Sequence, residues 1–186
     1  MNYNNLRDIQ DKDKSTLNAM FSGIIDSLKH VSINKISNII RYIPDICRLH
    51  HLSCENRKLR NSHKKKYHPV KVFRGEIYNA IITEGVGSEL SGNHLVIIMQ
   101  NKKGNIYGEK VNVLPIEGDG TRINPNYQMR LSNEHLKYGS LDKDPSRIII
   151  TDIMTLDKAR LDRKIGQIKP EYMLKISKML KSQLEL

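Results

Sequence analysis

The sequence is poor in cysteine and in long apolar runs. Only two of the 186 residues are cysteines, Cys47 and Cys54, which is too few for a disulfide framework and favours a reducing compartment. No apolar run approaches the roughly 20 residues that a membrane span needs. The first ten residues are polar, unlike a signal peptide. These absences predict a cytoplasmic protein without a membrane-spanning segment.

Acidic residues are also scarce relative to basic ones. The chain has 31 Lys and Arg against 20 Asp and Glu, a net charge of +11. This excess favours a polyanionic partner, either nucleic acid or an acidic protein, although a soluble basic surface has the same composition. Residues 57–74 include eight Lys or Arg and no acidic residue. The stretch could follow a phosphate backbone or form a solvated linker, and both interpretations stay open.

A group of histidines and one cysteine suggests a metal site at first sight. The spacing of His50 and Cys54 would place two ligands on one face of a helix. The neighbouring His51, His63 and His68 do not supply the second closely spaced pair that a tetrahedral site needs. We therefore predict no metal and no cofactor.

Residues 74–117 carry the main functional signal. Two alternating apolar segments flank the glycine-rich stretch GVGSELSG at residues 85–92, and a continuous apolar run covers residues 95–99. This pattern predicts a strand, a long polar loop and a buried strand. The glycines let the backbone approach a ligand closely. Ser88 and Glu89, at the apex, are candidate site residues, although Glu89 could simply bond nearby backbone amides.

Three blocks in order resemble the MazF/PemK family of ribonuclease toxins. They are RGEIY at residues 74–78, GSE at 87–89 with QN at 100–101, and IITDIMTLDKARL at 149–161. The resemblance covers roughly residues 70–186. It implies an α+β fold, an SH3-like β-barrel with packed helices, here preceded by an α-helical N-terminal extension. It also implies a homodimer whose groove cuts single-stranded RNA without a metal, and a small acidic antitoxin.

The resemblance also indicates site residues. Ser88 and Glu89 are predicted to be catalytic, since the family's Glu at this position helps to organise the active site. RNA contacts are predicted in the glycine-rich loop, at the end of the apolar strand and in the loop near residue 120. These residues are Gly87, Asn93, Gln100, Asn101, Thr121 and Arg122.

The chain departs from the family at two catalytic positions. His94 stands where the family has Arg, and Glu117 where it has Thr. Loss of the Arg removes a bidentate donor for phosphate. However, a Glu and a His are the base and acid of the guanyl-specific microbial ribonucleases, which have an unrelated fold. We therefore predict Glu117 as the base and His94 as the acid, with a dead pocket at His94 as the alternative.

Two other function classes remain open at this stage. One is a toxin of the same fold that poisons DNA gyrase without cutting RNA, against which the GSE and QN blocks argue. The other is an inactive binding module, for which the missing Arg is the main argument. Loss of RNase activity on substitution would distinguish an enzyme from both.

The domain prediction is a helical extension with a basic linker at residues 1–66, followed by the barrel domain at 67–186. The first 14 or so residues are expected to be frayed, with Ser15 or Thr16 capping a helix whose apolar stripe continues until Pro44 interrupts it. The apolar stripes of the extension could pack on each other or on the barrel, bind a partner, or cover the cleft as an inhibitor.

The remaining elements follow from alternation and turn residues. Strands are predicted at residues 72–83, 110–116, 127–131 and 146–156, with a turn at 102–105. Pro170 suits the first turn of a final helix with an apolar face.

Overall fold

The computed structural model describes residues 8–62, 64 and 66–186. The chain divides into two compact units, Met1–His51 and Leu52–Leu186. This division falls within a helix, earlier in the chain than the predicted boundary after residue 66. The separation into 1–66 and 67–186 stays a prediction about independent folding. His63 and residues 1–7, part of the stretch predicted to be frayed, lie outside the described residues.

The first unit contains α1 (Asp11–Ser27), which begins earlier than predicted. The backbone N–H of Gln10 donates to Asp13 Oδ2 at 2.8 Å, so the acidic side chain in the first turn caps the helix there, ahead of Ser15 and Thr16. None of the residues of α1 is buried. Its apolar stripe is therefore exposed.

The second helix, α2 (Ile33–Ser62), passes through Pro44 without a break. The prediction of an interruption there was wrong. A proline removes one backbone donor from the helix, and the hydrogen bonds of the flanking turns remain available to carry the helix through. Among the described residues, no helix is both long and apolar enough to cross a membrane.

The second unit is built on a curled antiparallel sheet of eight strands. The strands are β1 (Glu76–Ile81), β2 (Asn93–Ile98), β3 (Lys110–Glu117), β4 (Gln128–Leu131), β5 (Leu136–Gly139), β6 (Ser146–Ile149), β7 (Met154–Asp157) and β8 (Leu161–Ile168). Their order is β4-β6-β3-β2-β1-β8-β5, and β7 pairs with β3. With the packed helices, this is the predicted α+β barrel class, and helices precede it as predicted.

Two predicted strands were wrong in extent, and the first, predicted at residues 72–83, covers only Glu76–Ile81. Residues 146–156 form two strands, because the chain turns at residues 150–153 and β7 then pairs with a different part of β3 from the part that β6 pairs with. The second half of β3 pairs with β6 through Ile116 and Glu117, while its first half pairs with β7 through Lys110 to Val113. One long strand is thus shared by two short ones.

Alternation along the central strands creates a core on each face of the sheet. On one face, Ile97 and Ile116 belong to a cluster that also includes Ile176 of the last helix. On the other, Val96 and Val113 belong to a second cluster. Because successive side chains of a strand point to opposite faces, the continuous apolar runs of β2 and β3 serve both cores.

Two short helical elements complete the fold. A helix, α3 (Lys102–Tyr107), replaces the predicted turn, because Asn101 Oδ1 accepts a hydrogen bond from the N–H of Gly104 at 2.8 Å and caps it. The last helix, α4 (Pro170–Gln183), begins with Pro170 in its first turn, which confirms the prediction. It buries Met173 and Ile176.

Candidate active site

Four polar side chains form one row across the sheet. Leu95 of β2 pairs with Ile116 of β3, the last pair between these strands, and extending that register by one residue makes His94 and Glu117 facing positions. Further pairs continue the row across β6 and β4. Residues that face each other on antiparallel strands point to the same side of the sheet, with Cβ atoms about 5 Å apart. The row consists of His94, Glu117, Arg147 and Arg130.

His94 is half-buried at the start of β2. Its Nε2 lies 2.8 Å from the carbonyl oxygen of Ser91. Because a carbonyl only accepts, Nε2 carries a proton in this contact and Nδ1 is the nitrogen left for a substrate. The loop backbone therefore orients the imidazole ring.

Glu117 is fixed by an arginine that the sequence analysis did not single out. Arg147 Nε and Nη2 lie 2.8 and 2.6 Å from Glu117 Oε2. Both side chains are about two-thirds covered, with 27% and 32% of their side-chain surfaces exposed. The second oxygen, Oε1, accepts no hydrogen bond from the part of the chain that the structure describes. One carboxylate oxygen thus holds Arg147 and the other is available.

The glycine-rich loop is closed by its own polar groups. Glu89 Oε2 accepts a hydrogen bond from the N–H of Val86 at 2.8 Å, and Ser91 Oγ accepts one from Gly85 at 2.9 Å. Glu89 therefore makes the contact to a backbone amide that was its alternative interpretation. With Ser88, it lines a groove of about 520 Å³ that extends to Met154.

Asn93 and His94 line a second, smaller cavity of about 280 Å³. Lys143 and Ser146 also line this cavity, and Glu117 is not among its lining residues. The structure therefore brings Asn93 and His94 together, whereas Ser88 and Glu89 line the neighbouring groove.

The loop at residues 118–122 lies beside the row. Thr121 donates to Asp119 Oδ1 through both its hydroxyl and its backbone N–H, at 2.6 and 3.1 Å, and these hydrogen bonds lower the pKa of Asp119. The carbonyl oxygen of Arg122 accepts a hydrogen bond from Arg147 Nη1 at 3.4 Å. The two predicted RNA-binding residues of this loop, Thr121 and Arg122, therefore adjoin the catalytic candidates.

Gln100 and Asn101 lie beyond the opposite end of β2 from His94. At about 3.3 Å per residue, the distance along the strand is roughly 20 Å. Gln100 Nε2 donates to the carbonyl oxygen of Lys110 at 3.2 Å, and Asn101 caps α3. The structure does not bring these two residues together with the rest of the predicted site, and their RNA contacts stay a prediction.

The geometry can now be compared with known proteins. Residues 73–184 match the model of the family described as PemK-like, MazF-like toxin of type II toxin-antitoxin system, which is more than half of the chain. The chain belongs to this family.

Two solved structures are similar to part of the chain. The crystal structure of MazF from Deinococcus radiodurans matches 63% of this chain and 99% of its own, with a TM-score of 0.51 and 14% identity, so the fold is shared. An endoribonuclease from Mycobacterial species matches 63% of this chain and 94% of its own, with a TM-score of 0.49 and 19% identity. The toxin is therefore similar in fold to MazF from Deinococcus radiodurans.

Arg147 and Arg130 are the site-facing residues of this PemK/MazF-like toxin that the sequence analysis missed. Each is the only charged residue of a short strand, in SRII and QMRL. A lone arginine in a short strand next to the family's third block was the available signal. The position of that arginine beside Glu117 depends on strand register, which the sequence does not reveal.

Much of the basic stretch is occupied by contacts within the second unit of the toxin. Arg57 Nη2 and Arg60 Nη1 lie 2.7 and 2.9 Å from the carboxylate of Glu109. Arg74 Nη2 donates to Ser177 Oγ at 2.9 Å. These three arginines are therefore used in tertiary contacts, which favours a structural role for part of the stretch.

Among the described residues, no group of three or more His, Cys, Asp or Glu side chains is placed to hold a metal ion.

Proposed function

We propose that this toxin is an endoribonuclease that cleaves single-stranded RNA without a metal ion. The products carry a 2′,3′-cyclic phosphate and a 5′-hydroxyl. The observation that supports this most is the facing position of His94 and Glu117 on adjacent strands. An acid and a base about one strand spacing apart can act on the two ends of one phosphodiester.

In the proposed reaction, Glu117 Oε1 takes the proton from the ribose 2′-hydroxyl. The 2′-oxygen then forms a bond to phosphorus, and the bond from phosphorus to the 5′-oxygen breaks. The protonated His94 gives the Nδ1 proton to the leaving 5′-oxygen, while Nε2 stays bonded to Ser91. Each proton transfer of this kind typically contributes about 10²–10⁴-fold to the rate.

The other predicted site residues have supporting roles in this proposal. Ser88 and Glu89 hold the loop that orients His94. Gly87, Asn93, Thr121 and Arg122 contact the RNA near the cleaved bond. Gln100 and Asn101, roughly 20 Å along β2, would contact the same RNA several nucleotides away. An unpaired strand is the preferred substrate, because its bases are exposed for reading.

The proposal includes partners and compartment. Membership of a type II toxin–antitoxin family supports a cognate antitoxin, and the net charge of +11 favours an acidic one. We propose that the toxin is a cytoplasmic homodimer. RNA and antitoxin bind to the same groove of this dimer. Sedimentation of the toxin alone and with its antitoxin tests both associations.

The decisive experiment is cleavage of a long unstructured RNA in EDTA, with analysis of the end groups. His94→Ala and Glu117→Gln are compared with the exposed control substitutions His51→Ala and Glu185→Gln. We expect cyclic-phosphate ends from the wild type and both controls, and at least a 10²-fold lower rate from each site variant. Undiminished cleavage by His94→Ala would remove His94 from the mechanism.

A binding module of the same fold is the second candidate. It is favoured by the engagement of Glu117 with Arg147 and of Glu89 with Val86, since both carboxylates already have partners. This candidate would be supported if the wild type binds RNA or antitoxin but does not cleave RNA, either in EDTA or after Mg²⁺ is added back.

A further inference from the structure

The row across β2, β3, β6 and β4 continues past the proposed acid and base. Beyond Glu117 it contains two arginines on the same side of the sheet, Arg147 and then Arg130, at successive cross-strand positions. Arg122 lies next to them, since its carbonyl oxygen accepts from Arg147. Within the row itself, two arginines stand against the one carboxylate of Glu117. The balance is positive.

We infer that Arg147 and Arg130 form the phosphate-binding side of this site, with Glu117 positioning Arg147. The inference rests on the proposed function for the identity of the ligand, a single-stranded RNA backbone. It assigns Arg147 to the phosphate at the acid–base pair and Arg130 to the neighbouring phosphate.

The geometry of Arg147 supports this role. A guanidinium has five N–H donors in a rigid fork. Three of them are used, two on Glu117 Oε2 and one on Arg122, so two remain for an anion. The contacts with Glu117 hold the fork in one orientation, which reduces the entropy lost when a phosphate binds.

The carboxylate also makes an arginine necessary. Glu117 lies in the middle of the row, where a negative charge would repel the phosphodiester that the site must bind. The paired guanidinium offsets that charge directly. A base in this position can therefore coexist with an anionic substrate only if the arginine stays in contact with it.

Arg130 extends the positive surface outward. It is exposed on β4, and its side chain makes no ion pair with the described part of the chain. Three strand spacings separate it from His94, a distance of about 14 Å. This length accommodates more than one phosphate of an extended strand.

The first test measures binding without cleavage. The probe is a single-stranded 2′-O-methyl oligoribonucleotide, which lacks the attacking hydroxyl, and its Kd for the full-length protein is measured from low to high salt. Each neutralised phosphate contributes about 0.7 to the slope of log K against log salt. We expect Arg130→Ala and Arg147→Ala to reduce the slope by about 0.7 each. Arg163→Ala, an exposed arginine of β8 outside the row, should leave it unchanged.

The second test measures cleavage with the same variants. Arg147→Ala should reduce kcat/KM by about 10²–10³-fold, as for loss of one positioned donor in an active site. Arg147→Lys keeps the charge and loses the fork, so the salt slope should persist while cleavage falls. Glu117→Gln should keep the part of the salt dependence that comes from the phosphate at Arg147, because the glutamine amide oxygen can still accept hydrogen bonds from Arg147.

The outcomes separate the inference from the proposed function. If the wild type cleaves RNA and both arginine variants match Arg163→Ala in slope and rate, the inference is overturned and the enzyme stands. If the wild type does not cleave RNA but the salt slope falls in Arg130→Ala and Arg147→Ala only, the phosphate-binding inference stands and the proposed RNase activity is contradicted. Because Arg130 is exposed, its replacement tests the inference even if Arg147→Ala fails to fold.

Discussion

The ammonium group of Lys158 lies inside the second unit and donates a hydrogen bond to the carbonyl oxygen of Asn105 at 2.6 Å. A second, longer hydrogen bond reaches the carbonyl oxygen of Val70 at 3.4 Å, and the side chain is fully buried. Lys158 thus joins the segment before β1, the helix α3 and the turn after β7. These three segments are far apart in the sequence.

Burial of Lys158 predicts a rise in stability at alkaline pH. Desolvation lowers its pKa from 10.5 to about 8, against an opposing effect of Asp157. Between these pH values the unfolded state binds more protons than the folded state, so the free energy of unfolding rises with pH. The rise should amount to at most about 3 kcal/mol. Urea unfolding at pH 8–10 should show it in the wild type and not in Lys158→Met; equal pH profiles would contradict the prediction.

The buried His68 predicts a loss of stability at acidic pH. It is buried, and its Nδ1 lies 3.1 Å from the backbone nitrogen and 3.3 Å from the carbonyl oxygen of Val70. Desolvation and the charge of Lys158 lower the pKa of His68 below 6.5. Protonation therefore favours the unfolded state, and stability should fall as the pH drops below about 6.5. Thermal unfolding of His68→Gln should lack this component, whereas His51→Ala should retain it.

Glu109 predicts how strongly the end of α2 is attached within the second unit. Its carboxylate contacts both Arg57 and Arg60, and the hydrogen bond and charge of Arg57 lower its pKa despite the opposing desolvation. Glu109→Ala removes the carboxylate that two partly buried guanidinium groups share, so the free energy of unfolding should fall by about 1–3 kcal/mol. The exposed substitution Glu185→Ala should change it by less than about 0.5 kcal/mol. A double-mutant cycle with Arg57→Ala tests the ion pair. If the two changes in the free energy of unfolding are additive, the pair contributes nothing.

Gly120 predicts a link between the loop at residues 118–122 and the arginine row. A Cβ atom at this position would lie 2.1 Å from the carbonyl oxygen of Ser146, next to Arg147. Gly120→Ala must therefore displace the loop from β6, together with Arg122. We expect the main effect to be a fall in the rate of RNA cleavage. The loss of stability, measured by thermal unfolding, should be small by comparison. Gly23→Ala, where a Cβ meets nothing within 4 Å, is the matched control: it should leave cleavage unchanged and should raise rather than lower the stability, because alanine is the better helix former.

Local patterns in the sequence determined several elements correctly. The β-branched runs of β2 and β3 indicate strands because such residues suit a pleated, buried surface. Pro170 marks the start of α4 because its missing N–H is not needed there. Pro44 was misjudged by the same reasoning, since the hydrogen bonds of the flanking turns carry α2 through it. The strand predicted at residues 146–156 was too long because its two halves pair with different parts of β3.

The family and the barrel class were therefore readable from ordered motifs and alternation, which are properties of neighbouring residues. The contact of Glu117 with Arg147, the row that continues to Arg130 and the burial of Lys158 were decided only by the tertiary structure. Each depends on the register of strands or on contacts between segments far apart in the chain, as in the separation of 30 residues between Glu117 and Arg147. Hydrogen-bonded register determines which side chains share a face, and no local pattern records it.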